Sequence, residues 1–295
     1  MISIIIVNYN RKDLLKNCLD AVRTQSFKDI EIIVVDNGSS DGSSDMARAD
    51  YPWVKLIENK ENLFFCKANN QGIEAAKGDL ILCLNNDCIL DKDYLKEAVI
   101  SFNVDEKIGM VSGKIFRMDR KTIDSTGLFV ARNRKPLERG YGKPDKGQYD
   151  NPGYIFGVSG SCMLMKKIML DDIRDENGYF DETFEMYYED LDLCWRARKK
   201  GWKAYYNPKA MAYHARGGTS ITCGGGNRRP GLNLAYIEDN LKKKYIRNRY
   251  KCMKKNDTLS GFIAHLPFIL LYEIKMYFYI IGNFILTSMR RHSII

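Results

Sequence analysis

A chain of 295 residues suits one large α/β domain with an appendage, or about two domains, and its 45% hydrophobic and 12% aromatic content excludes disorder as the main state. The formal charge of +9 is local, because Lys242 to Lys255 carries eight basic residues and no acidic one. Only Tyr245 and Tyr250 interleave with those cations and the rest of the chain is near neutral, so a nucleic-acid partner is not expected.

The chain opens on Ile2 to Val7, a continuous apolar run of the buried-parallel-strand kind, with no basic n-region or cleavage site; no signal peptide is expected. Leu14, Leu15, Cys18, Leu19 and Val22 recur at helical spacing and predict a helix over 12–24. A second strand over 31–35, a helix over 43–49, a third strand over 54–58, a helix over 67–77 and a fourth strand over 79–84 follow. This alternation predicts an α/β fold with a mainly parallel central sheet and helices on both faces. Ligands of such sheets bind beyond the carboxyl ends of the strands, where Asn8/Tyr9, Asp36/Asn37/Ser39 and Asn85/Asn86/Asp87 stand. Neither a GxGxxG after the first strand nor a GxxxxGK[ST] occurs, so the ordinary dinucleotide and P-loop fingerprints are absent.

Residues 103–157 alternate short apolar pieces with glycines and charges, which predicts hairpins and a mobile loop over 132–151. A helix over 190–200, short strands over 204–207 and 211–214, and a Gly-rich stretch over 215–231 come next. The predicted division is a domain over 1–231 and a helical tail over 232–295. The eight cysteines form no CxxC pair and read as free thiols of a reducing compartment.

Asp87, at the end of a buried strand beside Asn85 and Asn86, suits a hard divalent cation that also takes phosphate oxygens; a turn or helix cap would use the same residue. Asp36 and its Asn37-Gly38-Ser39 neighbours can accept from a base or a ribose hydroxyl, and are equally what a turn requires. Glu189, Asp190 and Asp192 open a helix, where acids complement the macrodipole. The aromatic Tyr187 and Tyr188 before them point to partial burial and to a general base facing a cleft. A lone His214 is more often structural, but beside Asp87 it completes the small ligand set that a diphosphate-bound cation needs.

Six pieces stand in order: Ile5-Ile6-Val7-Asn8-Tyr9-Asn10, Val35-Asp36-Asn37-Gly38-Ser39-Ser40-Asp41-Gly42, Asn69-Asn70-Gln71-Gly72-Ile73, Leu84-Asn85-Asn86-Asp87, Tyr188-Glu189-Asp190-Leu191-Asp192-Leu193 and Ala212-Tyr213-His214. Together they resemble the inverting family 2 glycosyltransferases of the GT-A fold, especially the rhamnosyltransferase-like branch, over about residues 1–218. The resemblance implies a nucleoside-diphosphate sugar donor, dTDP-rhamnose or a UDP-sugar, and a glycan or lipid-linked acceptor in cell-surface polysaccharide synthesis. It implies Asn8, Tyr9, Asp36, Asn37, Ser39, Asn70, Asn85 and Asn86 around the nucleotide-sugar. It implies Mg2+ or Mn2+ on Asp87 and His214, Asp190 as catalytic base, and Glu189 orienting it or contacting the acceptor. Two departures stand out: Asn85 replaces the first acid of the family's DxD, and Phe64 and Lys67 stand where glycines are common, which bears on the sugar accepted. A degenerate paralogue that holds nucleotide-sugar without turnover is the competing reading, and retention of Asp87, Asp190 and His214 argues against it.

Residues 268–286 are nearly all apolar, interrupted by Glu273 and Lys275, with basic residues on both sides. That pattern predicts an interfacial or re-entrant helix pair broken near Pro267, with both ends on the cytoplasmic face and the basic run on anionic lipid. A membrane span is the second reading, and a charged solvated helix followed by a dimer-forming apolar helix is the bland alternative.

Overall fold

The computed structural model describes residues 1–216 and 239–292. The predicted 231/232 boundary and the Gly-rich stretch after position 216 therefore lie outside the described residues. The first half follows the expected alternation: β1 (Ile2–Asn8), α1 (Lys12–Arg23), β2 (Ile30–Asp36), α2 (Ser43–Asp50), β3 (Lys55–Glu58), α3 (Phe64–Ala75) and β4 (Leu80–Asn85). β1 pairs in parallel with β2 and with β4, and β2 with β3. The apolar run of β1 is buried on both faces because the pleat sends alternate side chains to opposite cores. Ile5 joins Ile33, Cys83 and Ile73 on one side, and Ile4 and Ile6 join Val34, Leu82, Leu15 and Leu19 on the other. α3 lies so close to β1 that a Cβ on Gly72 would stand 2.3 Å from Ile5 Cγ2, so glycine is required there.

The second half is mixed. β5 (Cys88–Leu90), α4 (Tyr94–Ile100), β6 (Ile108–Arg117), β7 (Ile123–Ser125), β8 (Leu128–Val130), β9 (Pro136–Glu138), β10 (Gly153–Ile155), β11 (Cys162–Lys166), α5 (Lys167–Ile173), α6 (Glu189–Lys199) and β12 (Lys203–His214) follow. The sheet runs β10-β12-β6-β11-β4-β1-β2-β3, with β5 on β12 and β7 on β6; β8 and β9 form a separate hairpin. Antiparallel β11 joins the parallel half to β6. The two short strands expected over 204–207 and 211–214 are one strand with a register irregularity between Asn207 and Met211. The segment over 132–151 is not the loose loop expected. β9 pairs with β8, and the Arg134 guanidinium makes a buried two-bond pair with Asp257 from the tail.

α7 (Asp239–Asn256) and α8 (Leu259–His292) close the chain. α8 runs through Pro267 without the expected break. A helix of this length absorbs one missing backbone bond and the local clash of the ring. The basic run on α7 also differs from expectation, because five of its cations turn inward: Lys244 and Arg247 pair with Glu185, Arg249 with Glu273, Lys251 with Asp181, and Lys255 with Asp175 and Asp181. The seven described cysteines are buried and free, as expected.

Candidate active site

The carboxyl ends of β1, β2 and β4 form one polar floor. Asn8 is fully buried, and its Nδ2 donates to Asp36 Oδ2 (3.2 Å) and Ser39 Oγ (3.3 Å) while its Oδ1 accepts from Asn86 Nδ2 (2.7 Å). Asp36 Oδ1 accepts from the Ser39 N–H at 2.8 Å, which folds the turn after β2. The in-register pairing of Asn8 with Asp36, set by unbroken strands, brings residues 28 positions apart together. Tyr9 stands on the rim, 46% exposed, with an aromatic ring of the kind that can stack on a base. Asn85 is held through its backbone N–H on Ser161 O.

Asp87 and His214 meet because β5 pairs with β12 so that Cys88 lies opposite His214. His214 Nε2 is 3.1 Å from Asp87 Oδ1, and both side chains are buried. On the other side of the ring, His214 Nδ1 stands 2.8 Å from Asp124 Oδ2, and Asp124 also accepts from Arg216 Nε. Asp124 on β7 is fully buried and was not legible as a site residue in the sequence. Its carboxylate commits Nδ1–H and leaves Nε2 facing Asp87, the arrangement by which an outer carboxylate orients a metal-binding imidazole. Burial disfavours a charged His214, but the Asp87 carboxylate and the Asp124 hydrogen bond outweigh it and push the ring up to about 9.

Asp87, Cys88 and His214 offer ligand atoms within 4.8 Å of one another. Burial pushes the Cys88 thiol well above its ordinary range, and its Sγ donates to Ser161 O at 3.3 Å. One carboxylate oxygen and one imidazole nitrogen suit Mg2+ or Mn2+ better than a thiolate-preferring metal. Neighbouring ligands of an octahedral cation at about 2.1 Å lie about 3 Å apart, and the observed 3.1 Å between Oδ1 and Nε2 fits.

A short turn joins the segment that flanks Asp87 to the acids of α6. Gly160 N–H donates to Asp190 Oδ2 (3.1 Å), Ser161 O accepts from the Asn85 N–H (2.9 Å) and the Cys88 thiol (3.3 Å), and Ser159 Oγ donates to Glu138 Oε1 (2.7 Å). Asp190, second residue of α6, also accepts from the Leu191 N–H at 2.7 Å. Burial lifts its carboxyl above the usual aspartate range, with the two backbone donors pulling the other way. Burial and the Asp190 charge push Glu189 well above its usual range, and its Oε2 finds no hydrogen-bond partner among the described residues. Glu138 at the end of β9 was also missed. Burial pushes it up to about 7, against the pull of Arg216 and of Ser125, with Asp190 adding to the rise.

Asp192, Asn70 and Asn37 are each engaged by neighbouring segments. Asp192 is fully buried on Arg196 Nε (2.8 Å) and Asn256 Nδ2 (2.7 Å), a structural anchor of α6. Asn70 is not brought to the floor. Its Nδ2 donates to Phe180 O (2.8 Å) and Glu182 Oε1 (3.1 Å), and its Oδ1 accepts from Phe180 N–H (2.9 Å), because α3 must satisfy the loop packed on it. Asn37 likewise braces the segment over 59–64, donating to Asn62 Oδ1 and accepting from Asn59 Nδ2 and Leu63 N–H.

Comparison with known proteins agrees with this architecture. The chain is 27% identical over 224 residues to the poly-β-1,6-N-acetyl-D-glucosamine synthase of Staphylococcus aureus (strain MSSA476), covering 72% of this chain and 49% of that one. It is 24% identical over 224 residues to the synthase of the same name from Staphylococcus epidermidis, with the same coverage. The chain thus spans about half the length of the curated relatives it matches. Among solved structures, a mannosyltransferase from Pyrobaculum calidifontis in complex with GDP-Man and Mn2+ superposes with a TM-score of 0.58 at 17% identity, covering 88% of this chain and 66% of that one. S. aureus TarS superposes with a TM-score of 0.55 at 18% identity, covering 72% of this chain and 36% of that one. These two likenesses concern the fold, which is GT-A. The family model described as glycosyl transferase family 2 matches residues 3–174, more than half of the chain, and the chain belongs to that family.

Proposed function

We propose that this chain transfers a sugar from a nucleoside-diphosphate donor to a hydroxyl of a glycan or lipid-linked saccharide, with inversion, in cell-surface polysaccharide synthesis. The observation that carries the reading is the turn over 159–161, which ties an elevated Asp190 carboxyl to Asn85 and Cys88, the residues on either side of the buried Asp87 that faces His214. The rhamnosyltransferase-like order of its motifs keeps dTDP-rhamnose beside UDP-sugars as donor. The polymer-forming synthases and the GDP-Man complex named above support the nucleotide-sugar class.

On this reading Tyr9 stacks on the base, and Asp36 and Asn8 hold the base or ribose while Asn86 and Asn85 border the sugar. A cation held by Asp87 and His214, Mg2+ or Mn2+, would neutralise charge on the departing diphosphate. Asp190 takes the acceptor's hydroxyl proton. The acceptor oxygen forms a bond to the anomeric carbon as the carbon–oxygen bond to the diphosphate breaks, its electron pair leaving with the nucleoside diphosphate. Base assistance of this kind supplies about 10²–10⁴-fold in rate. Glu189, buried with one oxygen unpartnered, orients the acceptor.

The tail supports a seat on the cytoplasmic membrane face. Over Leu259–Tyr279, α8 is long and apolar enough to cross a bilayer by length and composition, and Leu270, Leu271, Ile274, Tyr277 and Phe278 are exposed. With most of the basic run paired internally, the apolar face carries the attachment, with exposed Lys243 and Lys254 adding to it. The same face could close a homodimer, which analytical ultracentrifugation in detergent against vesicle flotation separates.

Calorimetric titration of UDP, GDP and dTDP, with and without Mn2+, tests the site. Metal-dependent binding of one nucleotide, lost in Asp87→Ala, is the expected result. Binding without turnover of any matching sugar nucleotide would instead favour the non-catalytic paralogue.

A further inference from the structure

The residues just before the proposed base are held in uncommon conformations. Glu185 has φ 62° and ψ −61°, and the Met186 N–H donates to Phe184 O at 2.7 Å, closing a tight γ-turn around a non-glycine residue. Tyr187 (φ 69°) and Tyr188 (φ 73°) follow in the left-handed region, and α6 begins at Glu189. Such conformations are unfavourable for non-glycine residues and persist only where the surroundings over-determine them.

The surroundings here are one face of α7. Asn248 is fully buried, and its Nδ2 donates to Phe184 O (2.7 Å), Met186 O (2.8 Å) and Tyr187 O (3.0 Å), so two N–H groups serve three carbonyls of the strained turn. Lys244 and Arg247, on the same helical face, grip the Glu185 carboxylate. One to two turns on, Lys251 and Lys255 take Asp181, and Asn256 Nδ2 donates to Asp192 Oδ1 in the first turn of α6. α7 therefore clamps both the approach to Asp190 and the helix that carries it.

We propose that Asn248 is a positioning residue for glycosyl transfer: its amide fixes the strained turn over 184–188 and thereby where the Asp190 carboxylate stands. The proposal rests on the reading of Asp190 as base. It assigns the inward part of the basic run an intramolecular purpose, and it makes the tail part of the catalytic unit. A displacement of about 1 Å at a reacting group can cost about 10²-fold in rate, while the nucleotide floor on β1 and β2 lies on other elements.

The test uses the whole chain with Asn248→Asp, which keeps the side chain's shape but turns its two donors into oxygens facing three carbonyls. Expected are a fall of about 10²-fold in kcat for nucleotide release from the sugar nucleotide turned over, and Mn2+-plus-nucleotide affinity within about twofold of the parent. Hydrogen exchange over 185–191 should rise by about tenfold or more, with β1–β4 unchanged. Adding Glu185→Gly should recover a substantial part of kcat, because glycine adopts that φ without strain. Mere loosening of α7 would not be rescued, since Glu185→Gly removes two more of its contacts. If Asn248→Asp does not fold, the pair Lys244→Met with Arg247→Met should show the same exchange change and a smaller kcat loss. Unchanged exchange over 185–191, unchanged kcat, or parallel loss of nucleotide binding would overturn the proposal. Retained turnover in Asp190→Asn would sink the base assignment instead, and the exchange readout keeps the two failures apart.

Discussion

The two halves of the sheet reach order by different routes. In the parallel half, β1, β2 and β4 are continuous apolar runs, and their register alone delivers Asn8, Asp36 and Asn86 to one floor. In the mixed half, His214 ends β12 and Asp190 opens α6, and side chains remote in sequence brace these and neighbouring segments: Asp124 on His214, Asp257 on Arg134, Asn248 on the turn over 184–188. On the proposed function, binding would rest on backbone pairing and catalysis on long-range polar contacts. Substitutions in the two halves should fail differently.

The largest effect is expected where a buried charge loses its partner. Asp257→Ala strands the Arg134 guanidinium, buried beside the hairpin, and should cost about 3–5 kcal/mol in urea unfolding. A cost below about 1 kcal/mol would mean that the hairpin needs no anchor from the tail. Next, Asp124→Asn removes the carboxylate behind His214 and should weaken Mn2+ by about 10–100-fold in titrations at saturating nucleotide. Nucleotide affinity without metal should stay level, and a fall in both would erase the distinction between the halves. Asn8→Ala inverts the pattern: it leaves Asn86 and Asp36 short of partners, so it should cost about 1–3 kcal/mol and weaken the nucleotide while the pH profile of turnover is unmoved. The smallest effect is in that profile itself. On the proposed function Asp190 is a base only when ionised, and burial raises its pKa, so turnover should fall with acidification at a higher pH than an exposed aspartate would give. An acid limb in the ordinary aspartate range would place the base elsewhere.

The same contrast decides what could be read from sequence. Strand ends after Val7, Val35 and Leu84 announce themselves because a buried run must stop where polar residues begin. The motif order then singled out Asp87, Asp190 and His214. Asp124 and Glu138 escaped because β7 and β9 are too short for any periodicity, and Asp124 meets His214 across 90 positions of chain. In sequence, an asparagine near a strand end or on a helix, such as Asn37 or Asn70, looks the same whether it serves a ligand or a neighbouring loop. Only the loops over 59–64 and 177–182 reveal which. For the basic run, the spacing of Lys244, Arg247, Lys251 and Lys255 on one helical face was present in the sequence. What was hidden was the acidic surface waiting for it at Asp175, Asp181 and Glu185.

The central claim, a single displacement assisted by Asp190, is most directly tested by measuring donor turnover and Mn2+-dependent nucleotide binding side by side in Asp190→Asn. The predicted result is binding within about twofold of the parent with turnover down by about 10²–10⁴-fold. Turnover that survives the substitution would contradict the claim, as would loss of binding to the same extent.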